Sequence, residues 1–222
     1  MANDQSVLTN ILIIGLTVVA SWQGFSRPQL IERYLLDVQR VRQYREYFRL
    51  MTSGLFHADL GHLFFNMFSL YAFGRGIEIV YGGHILALIY LSSILGGSLL
   101  SVWLHRREEY RALGASGGVC GVIYAAIFLL PGGSVYLFFI PIPIPASVYA
   151  VLFLVLSFWG FKTRFGRIGH DAHIGGAIVG LVVTTLLYPG IIAAQPALYA
   201  LVMAISVGLT VYFARQGARL RY

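Results

Sequence analysis

The chain is poor in charged residues and in cysteine. Only 11% of its 222 residues are charged, whereas 58% are hydrophobic. Soluble domains carry about a quarter charged residues, so this composition argues against a soluble protein and excludes disordered and fibrous chains. The single cysteine, Cys120, excludes an internal disulfide and a four-cysteine metal site. The class of protein that fits this composition is a polytopic membrane protein.

The charge that is present is mostly arginine. Sixteen basic residues stand against nine acidic ones, for a net charge of +7, and Lys162 is the single lysine. In a soluble protein this excess would suggest a nucleic-acid partner, but no basic helix or aromatic RNA-binding motif occurs. We therefore expect no nucleic-acid partner and interpret the arginines as loop charges that set membrane topology.

Seven apolar segments are predicted to cross the bilayer as helices. They cover about 7–23, 62–80, 84–104, 114–131, 146–161, 173–188 and 196–214. No basic region precedes the first segment, so it is expected to be a retained span and not a cleaved signal peptide. The predicted fold class is an all-α polytopic membrane protein, with residues 1–222 forming a single membrane domain.

Two connecting segments have unusual composition. Residues 24–61 mix arginines with Leu, Tyr and Phe at roughly helical spacing, which predicts an amphipathic segment at the membrane interface; an ordinary solvated linker is the alternative. After the fourth span, Pro141, Pro143 and Pro145 alternate with apolar residues, which forbids a helix there. Such an apolar, non-helical stretch must pack on protein or lie at the interface.

The fourth span begins with a serine among glycines. Gly114, Gly117, Gly118 and Gly121 surround Ser116, and glycines in membrane helices allow another backbone to approach closely. A serine near a helix start also lies beside free N–H donors, which suit an oxyanion. The alternative is a small-residue packing face with an incidental serine. The G-x-S-x-G elbow of soluble hydrolases does not apply, because it needs a preceding buried strand.

The sixth span begins with a histidine. Gly176 and Gly180 follow His173 at four-residue spacing, a pattern that lets two membrane helices pack closely. A serine nucleophile needs a base within about 2.6–3.2 Å, and a glycine-faced helix starting at His173 could supply one to Ser116. A polar anchor at the membrane boundary is the alternative interpretation of His173.

Polar residues also open the second span. His62 and Asn66 are four residues apart and share one helical face, and His57 precedes them. Histidine and asparagine side chains can both donate hydrogen bonds toward an oxyanion. The competing hypothesis is a metal site, with ligands drawn from His57, His62, His170, Asp171 and His173. No H-E-x-x-H motif occurs, so no metal is expected. Further along the span, Arg75 and Glu78 predict a structural ion pair.

In this order, the clusters over about residues 45–188 resemble the rhomboid family of intramembrane serine proteases. His57, His62 and Asn66 match the family's second-span pattern, and Phe48-Arg49 lies where its first loop has Trp-Arg. Gly74, Glu78 and Gly82 match the family's G-x-x-x-E-x-x-x-G motif. Gly114-Ala115-Ser116-Gly117 matches its G-x-S-G motif. Ala172-His173, Gly176 and Gly180 match its A-H-x-x-G-x-x-x-G motif. The proline-rich stretch is also similar.

The resemblance implies a six-helix core over about 7–188, with an extra C-terminal span over about 196–214. It implies a cofactor-free intramembrane serine endopeptidase that cuts transmembrane segments of other membrane proteins in the lipid bilayer. Ser116 would be the nucleophile and His173 the base, without a third acid, while His62, Asn66 and the Ser116 N–H would hold the oxyanion. His57, Arg49, Gly114 and Cys120 are the candidate supporting residues. Cys120 replaces an aromatic residue that the family often has, and Tyr124 is not expected to replace it.

Two other functions and the orientation stay open. A rhomboid-like protein that binds membrane segments without cutting them is the first alternative. A transporter with histidine relays is the second, disfavoured because the spans lack a second acidic residue. In the predicted topology, every basic residue except Arg75 lies at the membrane face that also holds Ser116 and His173. The positive-inside rule places this face in the cytoplasm. The resemblance instead implies that the active site faces outward. A bacterial inner (cell) membrane is the expected location.

Overall fold

The structure is a computed structural model that describes residues 7–136, 143–145, 148–149, 152 and 170–219. Its helices in chain order are α1 (Leu8–Ser26), α2 (Pro28–Tyr34), α3 (Val38–Gln43), α4 (Arg49–Thr52), α5 (Leu60–Tyr81), α6 (Gly83–Leu104), α7 (Ser116–Leu129), α8 (His170–Leu187), α9 (Gly190–Ala194) and α10 (Pro196–Arg219). A 3₁₀ turn covers Ser53–Leu55. The strands are β1 (Leu36–Asp37), β2 (Arg111–Ala112), β3 (Ser134–Tyr136) and β4 (Pro143–Pro145).

The long helices confirm the predicted all-α polytopic membrane fold. Six of the seven predicted spans correspond to α1, α5, α6, α7, α8 and α10. The remaining segment, 146–161, lies outside the described residues except for positions 148, 149 and 152. Within the described ranges, α1, α6 and most of α10 are long and apolar enough to cross a membrane, and α7 and α8 are shorter apolar helices.

Helix α7 is the centre of the packing. Every residue from Gly117 to Leu129 is buried, because α5, α6 and α8 all pack around it. Tyr90 of α6 and Tyr124 and Phe128 of α7 are among the largest fully buried side chains. A helix that is apolar on all faces is the type expected at the centre of a membrane bundle. Its start is therefore held on several sides by neighbouring helices.

The predicted ion pair between Arg75 and Glu78 is wrong. The Glu78 carboxylate accepts hydrogen bonds from the backbone N–H groups of Thr9 and Asn10, at 2.7 and 2.9 Å. Glu78 is buried, whereas Arg75 is exposed. A helix start has unpaired N–H donors and a partial positive charge, so the carboxylate neutralises the first turn of α1 and ties it to the end of α5.

The segment between α1 and α5 folds into short helices with an apolar inner side. Leu35, Leu36, Val38 and Val41 are buried, whereas the arginines at 33, 40, 42 and 45 are exposed. Strand β1 pairs antiparallel with β2, with Leu36 opposite Ala112. This pairing attaches the segment to the residues just before α7. Its position at a membrane interface stays a prediction.

The proline-rich stretch is non-helical where it is described. Strands β3 and β4 pair antiparallel, with Ser134 opposite Pro145 and Tyr136 opposite Pro143. Pro141 and its neighbours lie outside the described residues. Proline has no backbone N–H and cannot donate to a neighbouring strand. It is tolerated in a two-stranded ribbon because both strands have an outer edge where no such donor is required.

Candidate active site

Ser116 and His173 lie near the starts of two parallel helices that meet backbone to backbone. A Cβ added at Gly117 would be 3.1 Å from the carbonyl oxygen of Ala172. A Cβ added at Gly176 would be 2.6 Å from the carbonyl carbon of Gly117. Such close approach is open only to glycine. Because Ser116 precedes Gly117 and His173 follows Ala172, the contacts bring these two residues to the same end of the α7–α8 interface.

Helix α6 also contacts the first turn of α8. A Cβ added at Gly97 would be 2.5 Å from the Ala172 carbonyl oxygen. The His173 side chain is buried, with 9% of the residue exposed, and Ser116 is half-buried. The base candidate is therefore enclosed by protein, while the nucleophile candidate keeps partial access to its surroundings.

The length of α7 can be compared with the thickness of a bilayer. Helix α7 has 14 residues, which corresponds to about 21 Å at 1.5 Å per residue. The apolar layer of a bilayer is about 30 Å thick. If the end of α7 at Leu129 lies near one surface, its start at Ser116 is within the apolar layer and below the opposite surface.

His57 anchors the backbone that leads into Ser116. The N–H of Ala115 donates to His57 Nε2 at 3.2 Å. Nδ1 must then carry the imidazole hydrogen, and it lies 3.0 Å from Ser21 Oγ of α1. Ser21 in turn donates to the Leu55 carbonyl at 2.9 Å. Burial lowers the pKa of His57 to about 3, with the neighbouring His62 acting in the same direction and Asp59 opposing it. His57 is thus neutral at physiological pH.

His62 lies beside the loop that leads into Ser116, and Asn66 bonds to the backbone of His62. The backbone at Gly114 has φ +130°, and a Cβ added there would be 2.6 Å from His62 Cε1 and 2.9 Å from Nε2. The His62 ring therefore occupies the space that a side chain at position 114 would need. Asn66 donates one amide hydrogen to the His62 carbonyl at 2.9 Å, and an amide nitrogen has a second hydrogen to donate.

Arg49 and Cys120 are the other two candidate supporting residues. Arg49 is buried and donates to the carbonyls of Glu32 and Leu35, at 3.1 and 2.8 Å, which fixes the fold of the segment between α1 and α5. Cys120 is a buried free thiol one turn after Ser116 on α7. Its effect on the orientation of His173 stays a prediction.

Two of the residues named for a metal site, His57 and Asp171, bond to protein groups. Both nitrogens of His57 lie within hydrogen-bond distance of protein atoms, and Asp171 accepts a hydrogen bond from Tyr110. The His170 side chain lies outside the described part of the structure. Among the described residues, no group of three or more His, Cys, Asp or Glu side chains could hold a metal ion.

Several contributing residues were not found from the sequence. Asp59 caps α5 by accepting from the His62 N–H at 2.8 Å, a signal visible as an acid three residues before His62. The Ser53 carbonyl accepts from the Gly114 N–H at 2.9 Å. Ser21 and Ser53 come from outside the motifs, and nothing local to either residue indicates its partner.

This chain is similar to known proteins. A family model described as the rhomboid domain matches residues 44–190. RHOMBOID-like protein 12, mitochondrial, of Arabidopsis thaliana is 29% identical over 196 residues, which cover 81% of this chain and 58% of that protein. Rhomboid protein 1, mitochondrial, of Saccharomyces cerevisiae is 27% identical over 81% of this chain and 53% of that protein.

A bacterial protein is also similar. Rhomboid protease GluP of Bacillus subtilis is 30% identical over 61% of this chain and 25% of that protein. This chain thus spans about half of the length of the two mitochondrial relatives and a quarter of the bacterial one. Two of the three are named mitochondrial, which stands against the expectation of a bacterial membrane.

Proposed function

The chain belongs to the rhomboid family, since the rhomboid domain matches residues 44–190, and from this premise we propose that it is an intramembrane serine endopeptidase. The observation that carries the proposal is the contact between α7 and α8 through Gly117 and Gly176, with Ser116 and His173 at the adjoining helix starts. Its substrates would be transmembrane segments of other membrane proteins, and no cofactor is needed for this chemistry.

The dyad would act by covalent catalysis. Ser116 Oγ attacks the carbonyl carbon of the scissile peptide bond while His173 takes its proton. The tetrahedral intermediate collapses, the C–N bond breaks, and His173 returns the proton to the leaving amine. Water then attacks the acyl-enzyme with His173 as base, which releases the second product and restores Ser116.

The oxyanion would be held by donors at the start of α7 and on α5. The Ser116 N–H belongs to the first turn of a helix, where N–H groups have no intrahelical partner. The neutral imidazole of His62 and the second amide hydrogen of Asn66 would supply the other hydrogen bonds. His57 supports this arrangement indirectly, since its bond with the Ala115 N–H orients the peptide that precedes Ser116.

A cleavage assay in liposomes tests the proposal. Ser116→Ala and His173→Ala should each abolish cleavage of a reconstituted transmembrane substrate, because each removes one half of the dyad. Matched controls are Ser69→Ala, at a serine that donates to its own helix at Phe65, and His84→Ala, at an exposed histidine at the start of α6. Both controls should cleave at the wild-type rate. Undiminished cleavage by Ser116→Ala or His173→Ala would disprove the dyad.

A second candidate function is binding of membrane segments without cleavage. The feature that favours it is Cys120, which stands where the family often has an aromatic residue. A serine-directed fluorophosphonate probe separates the two functions: labelling of the wild type but not of Ser116→Ala supports the enzyme. Absence of labelling in folded wild-type protein supports the binding protein.

The location within the cell is also a proposal. The sequence favours a bacterial inner membrane, while the names of two relatives favour a mitochondrial membrane. Imaging or membrane fractionation of the tagged chain in its source cells decides between them.

A further inference from the structure

Asp171 is a buried carboxylate two residues before the proposed base. Only 1% of the residue is exposed. Residues two apart on a helix do not face each other, so Asp171 is not placed to bond with the His173 imidazole. Its side chain instead meets the loop between α6 and α7. Tyr110 Oη donates to Asp171 Oδ1 at 2.8 Å, and His105 Nε2 lies 3.5 Å from Oδ2.

The partners of Asp171 are themselves held in place. The rings of His105 and Tyr110 stack with centroids 3.8 Å apart and planes 2° apart. His105 Nδ1 lies 3.1 Å from a Glu108 carboxylate oxygen. Burial lowers the pKa of His105, but the carboxylates of Asp171 and Glu108 outweigh it and raise that pKa overall. Burial and Asp171 also raise the pKa of Tyr110 well above its usual range, so the phenol stays a donor.

Tyr110 connects this group to the loop that ends at Ser116. The Tyr110 carbonyl accepts from the Val38 N–H at 3.1 Å. The next residue, Arg111, pairs with Asp37 in the β1–β2 ribbon, and its guanidinium lies 3.1 Å from the Asp37 carboxylate. The backbone on one side of the Tyr110–Asp171 bond therefore leads into the nucleophile, and the backbone on the other side carries the base.

We propose that Asp171 and Tyr110 form a clamp that sets the position of His173 relative to Ser116. This inference rests on the proposed function. Asp171 is a positioning residue: its bond with Tyr110 ties the first turn of α8 to the loop before α7 at a fixed height and rotation. A buried carboxylate is unfavourable unless it is paired, so the first turn of α8 is stable in the position where Tyr110 and His105 meet it.

The test compares Asp171→Leu, which removes the acceptor at similar volume, and Tyr110→Phe with two controls far from the site. Tyr81→Phe removes a phenol that donates to the Leu129 carbonyl at 3.0 Å, and Glu78→Gln neutralises the buried carboxylate at the end of α5. Each variant is reconstituted in liposomes at a temperature where thermal unfolding shows it folded. The readouts are kcat and KM for a transmembrane substrate and the rate of fluorophosphonate labelling at Ser116.

The clamp predicts a loss in kcat and in labelling rate, with KM close to that of the wild type. A displaced catalytic group costs up to about 100-fold, and we expect a loss between about 10-fold and 100-fold for Asp171→Leu. The double variant should lose no more than Asp171→Leu alone, because Asp171→Leu and Tyr110→Phe break the same contact. The two control variants should retain wild-type kcat.

Two results would overturn the clamp: an unchanged kcat and labelling rate in Asp171→Leu, or an equal loss in the controls. If the wild type neither cleaves nor labels, the proposed function is wrong, but the clamp can still be tested. A crosslinking measurement, which needs no catalysis, then tests the clamp. Ser116→Cys and His173→Cys introduce two thiols, which are joined with a short thiol-reactive crosslinker with and without Asp171→Leu. Slower crosslinking in the Asp171→Leu background supports the clamp, and an equal rate refutes it.

Discussion

Replacing Gly176 by alanine tests the closest contact of the proposed site. The added Cβ would lie 2.6 Å from the Gly117 carbonyl carbon and 2.8 Å from its Cα, and closer still to its carbonyl oxygen. All three are backbone atoms, so no side-chain rotation can relieve the overlap. The two helices must move apart by about 1 Å before these atoms reach van der Waals distance.

The effect on stability and the effect on activity should differ in size. Alanine is favoured over glycine inside a helix by about 1 kcal/mol, whereas overpacking costs about 1–3 kcal/mol. The net loss of unfolding free energy is then about 0–2 kcal/mol, which a folded protein can tolerate. A displacement of about 1 Å between nucleophile and base, however, costs about 100-fold in rate. Activity should fall far more than stability.

The assay measures kcat in liposomes and thermal unfolding in detergent for Gly176→Ala and for a matched control. Gly208→Ala places the same substitution inside α10, where an added Cβ meets nothing within 4 Å. It should keep wild-type kcat and gain up to about 1 kcal/mol of stability. If Gly176→Ala keeps its kcat within about twofold of the wild type, less than the cost of a small displacement, the reasoning from the α7–α8 contact is refuted.

Three further predictions follow from single contacts. Gly114→Ala places a Cβ 2.6 Å from the His62 ring at φ +130°; the displaced oxyanion donor should lower kcat about 10²–10³-fold in initial-rate assays. Glu78→Gln removes the charge that accepts from the first turn of α1; thermal unfolding should show a loss of about 1–3 kcal/mol, with kcat of the folded protein retained. The pKa of His57 is about 3 in the folded protein, against an ordinary value of 6.5. As the pH falls below 6.5, the unfolded chain is protonated at this histidine before the folded protein is. The free energy of unfolding should therefore decrease below pH 6.5, by up to about 1.4 kcal/mol per pH unit.

Each of these has its own opposing outcome. Wild-type kcat in Gly114→Ala would remove His62 from the oxyanion site. A Glu78→Gln variant as stable as the wild type would mean that the α1 cap contributes nothing. For His57, unfolding is measured from pH 7 to pH 5 in the wild type and in His57→Gln, and parallel curves would contradict the assigned protonation.

The sequence predicted six of the seven spans correctly, as far as the described residues show, because apolarity along one segment is a local signal. Hydropathy along one segment reflects how that segment meets lipid, and it marked the helix that begins at Ser116 and the one that carries His173. The face shared by His62 and Asn66 follows from helical spacing alone. Glycines at positions 117 and 176 indicated close packing without indicating that each faces the other.

The sequence failed where a partner comes from a distant part of the chain. Arg75 is near Glu78 in sequence, yet the carboxylate bonds to the start of α1, 68 and 69 residues away. One partner of Asp171 is Tyr110, 61 residues earlier. A local pattern contains no information on such pairs, because a buried polar group bonds with whichever donor the packing brings to it.

The sequence by itself therefore determined the membrane class, the order of the helices and the residue types that could perform acyl transfer. Only the tertiary structure decided that α7 and α8 run in parallel with Ser116 and His173 at one end, and that His57 and Asp171 hold the backbone on either side. The physical reason is that apolarity and spacing act within one segment. The geometry of a site depends on contacts between segments, which exist only after the helices have packed.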